Sequence, residues 1–171
     1  MSDPQKLASA TVEALQNRQA SVGVWGCGHI GASAMYHFSQ KGVRCVGYDI
    51  TRTRVREIRQ GRFLSTDAVP DGRLEGDVEN VTATTDWREL KNHRIAVHII
   101  AVPTERGTDP SSAALEDIMP LICEVIRETR LDGIIPTISI ESTIQPSWID
   151  SVVLPQLHAS GLRPDVDVLI G

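Results

Sequence analysis

The chain has 171 residues, with 17 Lys and Arg against 22 Asp and Glu for a formal net charge of −5. A chain of this length forms one domain that buries about 70% of its unfolded surface without staples, and its mildly acidic balance argues against a general nucleic-acid or anionic-membrane surface. With 41% hydrophobic and 23% charged residues it is neither disordered, collagenous nor coiled-coil. The three cysteines, Cys27, Cys45 and Cys123, are odd in number and widely spaced, with no CxxC and no Cys/His ligand spacing, so a disulfide framework and a metal site are not expected. The amino-terminal stretch MSDPQKLASATVEALQNRQ lacks an apolar h-region, and the longest apolar run, Ile95 to Val102, is interrupted by His98. Neither a signal peptide nor a membrane span is expected, and the compartment reads as cytoplasmic.

Leu7, Ala8, Val12 and Leu15 recur at near-helical spacing and predict a short amphipathic helix. Residues 1–20 therefore read as an extension and residues 21–171 as the main domain. From Ser21 onward short β-branched runs alternate with longer helical stretches. Val22 to Trp25 is the first strand, followed by a glycine turn and a helix to about Lys41; Arg44 to Tyr48 is the second strand, and a second helix, Thr51 to Gln60, turns Val55 and Ile58 inward. Arg62 to Asn80, with Pro70, Asp71-Gly72 and Gly76, reads as an irregular excursion. Val81 to Thr84 and Ile95 to Ala101 are the third and fourth strands. Asp109-Pro110-Ser111 is expected to open a long helix to about Thr129. Gly133 to Ile140 is the fifth strand, Ser147 to Ser160 a helix kinked at Pro155, and Val166 to Ile170 the sixth strand.

The strongest signal is Gly26-Cys27-Gly28-His29-Ile30-Gly31, directly after a strand and before a helix. In such a loop the first glycine permits the tight turn, the second lets a pyrophosphate approach backbone, and the third allows close helix–strand packing, while the helix N-terminus offers N–H groups to the phosphates. Asp49 lies at the end of the second strand, 18 residues past Gly31, where a carboxylate accepts ribose hydroxyls. Its charge favours NAD over NADP, although Arg52 and Arg54 just beyond would offset a 2′-phosphate. The expected fold is α/β: a Rossmann-type doubly wound parallel sheet of about six strands with helices on both faces.

Four stretches carry a resemblance to a known family: VGVWGCGHIGASAMYHFSQKGVRCVGYDI (Val22 to Ile50), Arg54-Val55 with Ile58 and Gly61, IIAVPTE (Ile99 to Glu105) and IESTIQP (Ile140 to Pro146). Over about Ser21 to Gly171 the chain resembles the N-terminal, NAD-binding domain of the UDP-glucose/GDP-mannose dehydrogenase family. The VPT and EST pair is far more specific than the glycine loop, which the 3-hydroxyacid and 6-phosphogluconate dehydrogenases share without that pair. The resemblance implies that Gly26, Gly28, His29, Ile30, Gly31 and Asp49 bind the ADP half of NAD, that Arg54 flanks the adenosine, and that Val102, Pro103 and Thr104 lie near the nicotinamide ribose. It also implies that Thr143 helps to hold a catalytic water.

The chain departs from the family pattern at Glu105, at Ser147-Trp148 and over RFLSTDAVPDGRLEGD. The family's nucleophilic cysteine, its lysine and its sugar-nucleotide pocket lie beyond this domain. The resemblance thus implies the cofactor half of a nucleotide-sugar 6-dehydrogenase, inactive alone, its nucleotide-sugar substrate shared with a further domain or a second polypeptide, with a homo-oligomer as one option. The alternative is a stand-alone NAD-binding regulatory or partner module. Cys27 sits where pyrophosphate would lie, Cys45 and Cys123 read as small core residues, and His98 as a satisfied core histidine. Trp25 reads as core or loop support. Glu105 and Glu141 are either paired site carboxylates or surface, and the Arg run at 52, 54, 56 and 59 reads as a solvated helix face.

Overall fold

The apolar runs between the glycine turns pair side by side into one sheet. The computed structural model describes residues 4–65, 72–129 and 131–171. The elements are α1 (Pro4–Gln16), β1 (Ser21–Trp25), α2 (His29–Gln40), β2 (Cys45–Tyr48), α3 (Arg52–Arg59), β3 (Arg62–Leu64), β4 (Arg73–Glu75), β5 (Val81–Thr84), a 3-10 turn (Trp87–Asn92), β6 (Ile95–Ile100), β7 (Glu105–Arg106), β8 (Asp109–Pro110), α4 (Ala113–Glu128), β9 (Thr137–Ile140), α5 (Leu154–Ala159) and β10 (Leu169–Ile170). The main sheet runs β10-β9-β6-β1-β2-β5, all parallel. This is the doubly wound order, and the chain reverses its winding direction between β1 and β6, where ligands bind in such sheets.

Alternation along each strand sorts the core into two layers. On β1, Val22 and Val24 pack with Ala32 and Met35 of α2, Val55 and Ile58 of α3, and Ala14 and Leu15 at the end of α1. Trp25 points the other way, onto Leu115, Ile118, Met119 and Ile122 of α4. These four α4 residues repeat at i, i+3, i+4 and i+7, the spacing of one helix face. Each is buried to 5% exposure or less, a burial that contributes about 1.5–3 kcal/mol per large side chain. Pro120, inside α4, is exposed and leaves the carbonyl of Glu116 without its helical donor.

Several segments differ from expectation for local reasons. The excursion after α3 carries an antiparallel pair, β3 with β4, because Phe63 is fully buried against Tyr36 and pins the segment to α2; Pro70 and Asp71 lie outside the described residues. The long helix opens at Ala113, not Asp109. Asp109 precedes a proline, which disfavours helical dihedrals, and Asp109–Pro110 pairs instead with Glu105–Arg106 around Gly107, whose φ is +69°. The fifth strand starts only at Thr137, since Pro136 has no N–H for a ladder and Gly133 turns the chain at φ +74°. The sixth is shortened to Leu169–Ile170 by a turn in which Arg163 and Asp167 bond through both backbone and side chain. The helix expected over Ser147 to Ser160 is continuous from Ser147 to Ala159, and its irregularity is a widened π turn over Ile149–Val153 directly before Pro155, which has no N–H to give the carbonyl of Ser151.

A row of rings crosses the sheet on the α4 face. Tyr48, Trp25 and His98 lie on neighbouring strands, with ring centroids 5.8 Å and 6.1 Å apart. Trp25 Nε1 donates to His98 Nδ1 at 3.2 Å. His98 is therefore only half satisfied: it is fully buried, and its Nε2 has no partner among the described residues. Burial pushes its imidazole from 6.5 down to about 3. Between these values the unfolded chain binds a proton that the folded chain refuses, so stability falls as pH drops from about 6.5 to about 3, by up to about 1.4 kcal/mol per pH unit from this residue. Urea unfolding at pH 7, 5 and 4 is expected to show a shallower pH dependence for His98→Phe; equal slopes would refute the assignment.

Candidate functional site

The loop between β1 and α2 is held by two close approaches. Gly26 has φ +95°, and a Cβ there would lie 2.5 Å from the carbonyl oxygen of Ala101. A Cβ at Gly31 would lie 1.9 Å from the carbonyl oxygen of Gly26. Neither position admits a side chain, whatever binds nearby. Gly28 is different. Its φ is −72°, open to any residue, and the nearest atom to a Cβ would be Arg54 Nη1 at 4.0 Å. Nothing within the fold demands glycine there, and the missing side chain leaves room in the cavity for atoms from outside. Gly28 is also the N-cap of α2 and makes no side-chain cap, so the first-turn N–H groups remain available to an anion.

Asp49 follows β2 and is 4% exposed. Its Oδ2 accepts from Cys27 N–H at 2.8 Å and from Arg54 Nη1 at 3.4 Å, and its Oδ1 accepts from Thr51 N–H at 2.7 Å. A carboxylate offers about four lone-pair sites, so Asp49 is fixed in place with acceptor capacity left on Oδ1. Cys27 does not project from the loop and is fully buried. Its thiol is buried between Met35 and the Tyr48 carbonyl, and burial, reinforced by Asp49, pushes its pKa up. Cys45 is pushed up to about 12 by burial, and Cys123 is raised by the same cause.

Two cavities open at the carboxyl ends of the strands. The first, about 450 Å³, is lined by Gly26, Gly28, His29, Ile30, Asp49 and Arg54, and by Val102 and Pro103 after β6. The second, about 410 Å³, shares Ile30, Val102 and Pro103 and adds Thr104, Glu105, Glu141, Ser142 and Thr143. Gly31 lines neither and acts by packing beneath Gly26. Glu105 and Glu141 face the same cavity, both exposed, and Ser139 Oγ donates to Glu141 Oε1 at 2.6 Å. The Arg run divides: Arg54 reaches Asp49, Arg59 donates to the Ala83 carbonyl at 2.7 Å, and Arg52 and Arg56 are exposed. Trp148 is buried in the core at 9% exposure.

Sequence reasoning missed the far wall of the first cavity: Tyr48 and Ile50 beside the acid, and Ala114, Asp117, Ile118 and Leu121 on α4. The i, i+3, i+4, i+7 spacing of that α4 set was the available signal. It also missed Ser142, whose Oγ donates to the Val102 carbonyl at 2.8 Å and so joins the two loops that carry the second cavity.

An uncapped helix N-terminus, a glycine whose absent Cβ opens a cavity, a fixed carboxylate and an apolar end lie in one cleft, and these groups suit the diphosphate, ribose and base of an adenine dinucleotide. No helix among the described residues is long and apolar enough to cross a membrane. GDP-mannose 6-dehydrogenase of Pseudomonas putida is 25% identical over 150 residues, 85% of this chain and 34% of that protein. UDP-N-acetyl-D-glucosamine 6-dehydrogenase of Pseudomonas aeruginosa is 27% identical over 155 residues, 90% of this chain and 35% of that protein. Among solved structures, a ternary complex of GDP-mannose dehydrogenase from Pseudomonas aeruginosa superposes with a TM-score of 0.70 at 25% identity, over 87% of this chain and 34% of the other. This chain spans about a third of the length of these relatives. Residues 20–170 match the NAD binding domain of the UDP-glucose/GDP-mannose dehydrogenase family, and the chain belongs to that family as its NAD-binding domain.

Proposed function

We propose that the two adjoining cavities are the NAD site and that the domain serves a nucleotide-sugar 6-dehydrogenase, which oxidises the C6 alcohol of a UDP- or GDP-sugar to the acid. The observation that carries the first part is Gly28, a glycine that the fold does not need and that opens the cavity at a helix N-terminus. The second part rests on the relatives, GDP-mannose and UDP-N-acetylglucosamine 6-dehydrogenases.

In this reading Gly26, Gly28, His29 and Ile30 present backbone to the diphosphate, with Gly31 holding the loop against α2. Asp49 accepts from the adenosine ribose, and Arg54, 41% exposed, swings over the adenosine. Val102, Pro103 and Thr104 flank the nicotinamide ribose, and Thr143, across the second cavity, holds the catalytic water. NAD supplies the hydride acceptor when bound. The thiol chemistry of the oxidation falls to a group outside the described residues, since Cys27, Cys45 and Cys123 are all buried with raised pKa and reactive thiols need exposure and a lowered one. The nucleotide-sugar pocket is likewise completed by a further domain or a second polypeptide.

Calorimetric titration of the chain is expected to show saturable NAD binding, with NADP at least about tenfold weaker because its 2′-phosphate meets the Asp49 carboxylate. Equal binding of the two would refute that role for Asp49, and no binding of either would refute the site. The glycines give a second test. Gly31→Ala is expected to lose about 2 kcal/mol or more of stability through overlap with backbone. Gly28→Ala should melt within a few degrees of the wild type yet bind NAD at least about tenfold more weakly. A Gly28→Ala chain that binds normally would show that the diphosphate does not lie there.

A further inference from the structure

One wall of the first cavity is a single stripe of α4: Ala114, Asp117, Ile118 and Leu121. Three of the four are apolar, and Ile118 continues inward to the core at 5% exposure. Asp117 interrupts the stripe. Among the described residues no hydrogen bond or ion pair engages it, whereas the other acid of the cavity, Asp49, has both oxygens bonded. Asp117 is exposed on this wall, and its carboxylate holds nothing else in place.

The parts of the cavity divide an adenine dinucleotide between them. The loop at Gly28 takes the diphosphate and Asp49 takes the ribose, which leaves the apolar end between Ile50 and α4 for the base. A base in that slot is held by its faces, and its edge is read only by whatever polar group the walls supply. We propose that Asp117 is a specificity-determining residue that reads the adenine edge. Its carboxylate accepts from the exocyclic 6-amino group and opposes a base with a 6-keto oxygen, which sets a lone pair against the carboxylate. With ribose and diphosphate already fixed, the base cannot slide to exchange that edge for another. This inference rests on the first cavity being the adenosine end of the NAD site.

Nicotinamide hypoxanthine dinucleotide has a keto oxygen where NAD has the 6-amino group, and a proton on the neighbouring N1, and titration of the 171-residue chain with each tests the assignment. The wild type is expected to bind the hypoxanthine compound about tenfold more weakly than NAD. Asp117→Leu is expected to bind the two within about twofold of each other, by weakening NAD, with its melting temperature unchanged. Asp117→Asn, whose amide can turn either a donor or an acceptor to the base, should also bind both nearly equally. Equal binding of both by the wild type, or a preference that Asp117→Leu leaves intact, overturns the role of Asp117 while the NAD site stands. No binding of either compound by the wild type overturns the site and this inference together.

Discussion

The carboxylate of Asp49 bonds to the N–H of Cys27 and the N–H of Thr51, and so ties the end of β1 to the end of β2 at the mouth of the cleft. Hydrogen bonds to a charged acceptor contribute about 1.5–3 kcal/mol each, and these two are sheltered from water. They set the height of the loop over the sheet. With the loop at that height, Gly31 lies beneath the Gly26 carbonyl and Gly26 passes beside Ala101. The group proposed to meet the ribose is therefore also the one that shapes the loop between β1 and α2, so its orientation is set before any ligand arrives and little ordering remains to be done on binding.

The two cavities share a wall, Val102 and Pro103, at the point where the sheet reverses its winding. Ser142 binds that wall to the loop after β9. The arrangement couples a first cavity, built from β1, β2 and α4, to a second made of loops and the small β7–β8 pair. The relatives are about three times the length of this domain, and the second cavity is rimmed by exposed Glu105, Glu141 and Thr143.

Much of the fold was legible because its decisive contacts are local. Strand, glycine loop, helix, strand and acid fall within 29 consecutive residues, Val22 to Ile50, and the loop geometry follows from that order. What could not be read depends on partners distant in sequence. Phe63 forms a strand because Tyr36 lies beneath it; Asp109 leaves the helix because Pro110 follows it and Arg106 is there to pair. Of the residues that line the first cavity, those nearest the motif were named from sequence and those on α4 were not: helical spacing marks a face, but whether that face meets core or cavity is decided by where the sheet ends. His98 was expected to be satisfied, and only one of its nitrogens is.

The row of rings across the sheet gives the domain an optical property. Tyr48 lines the first cavity and touches the indole of Trp25 edge-on, while Trp25 itself is sealed from solvent and donates to a neutral imidazole. At 5.8 Å excitation passes from phenol to indole with little loss, and the indole emits from a rigid, dry setting unlike that of Trp87, which lies beneath the cationic ends of Arg88 and Lys91. Trp148 is buried as well, but it is Trp25 that the Tyr48 ring touches, so a molecule that moves the Tyr48 ring alters the transfer into Trp25 and writes its presence into the intensity of light from the interior of the protein.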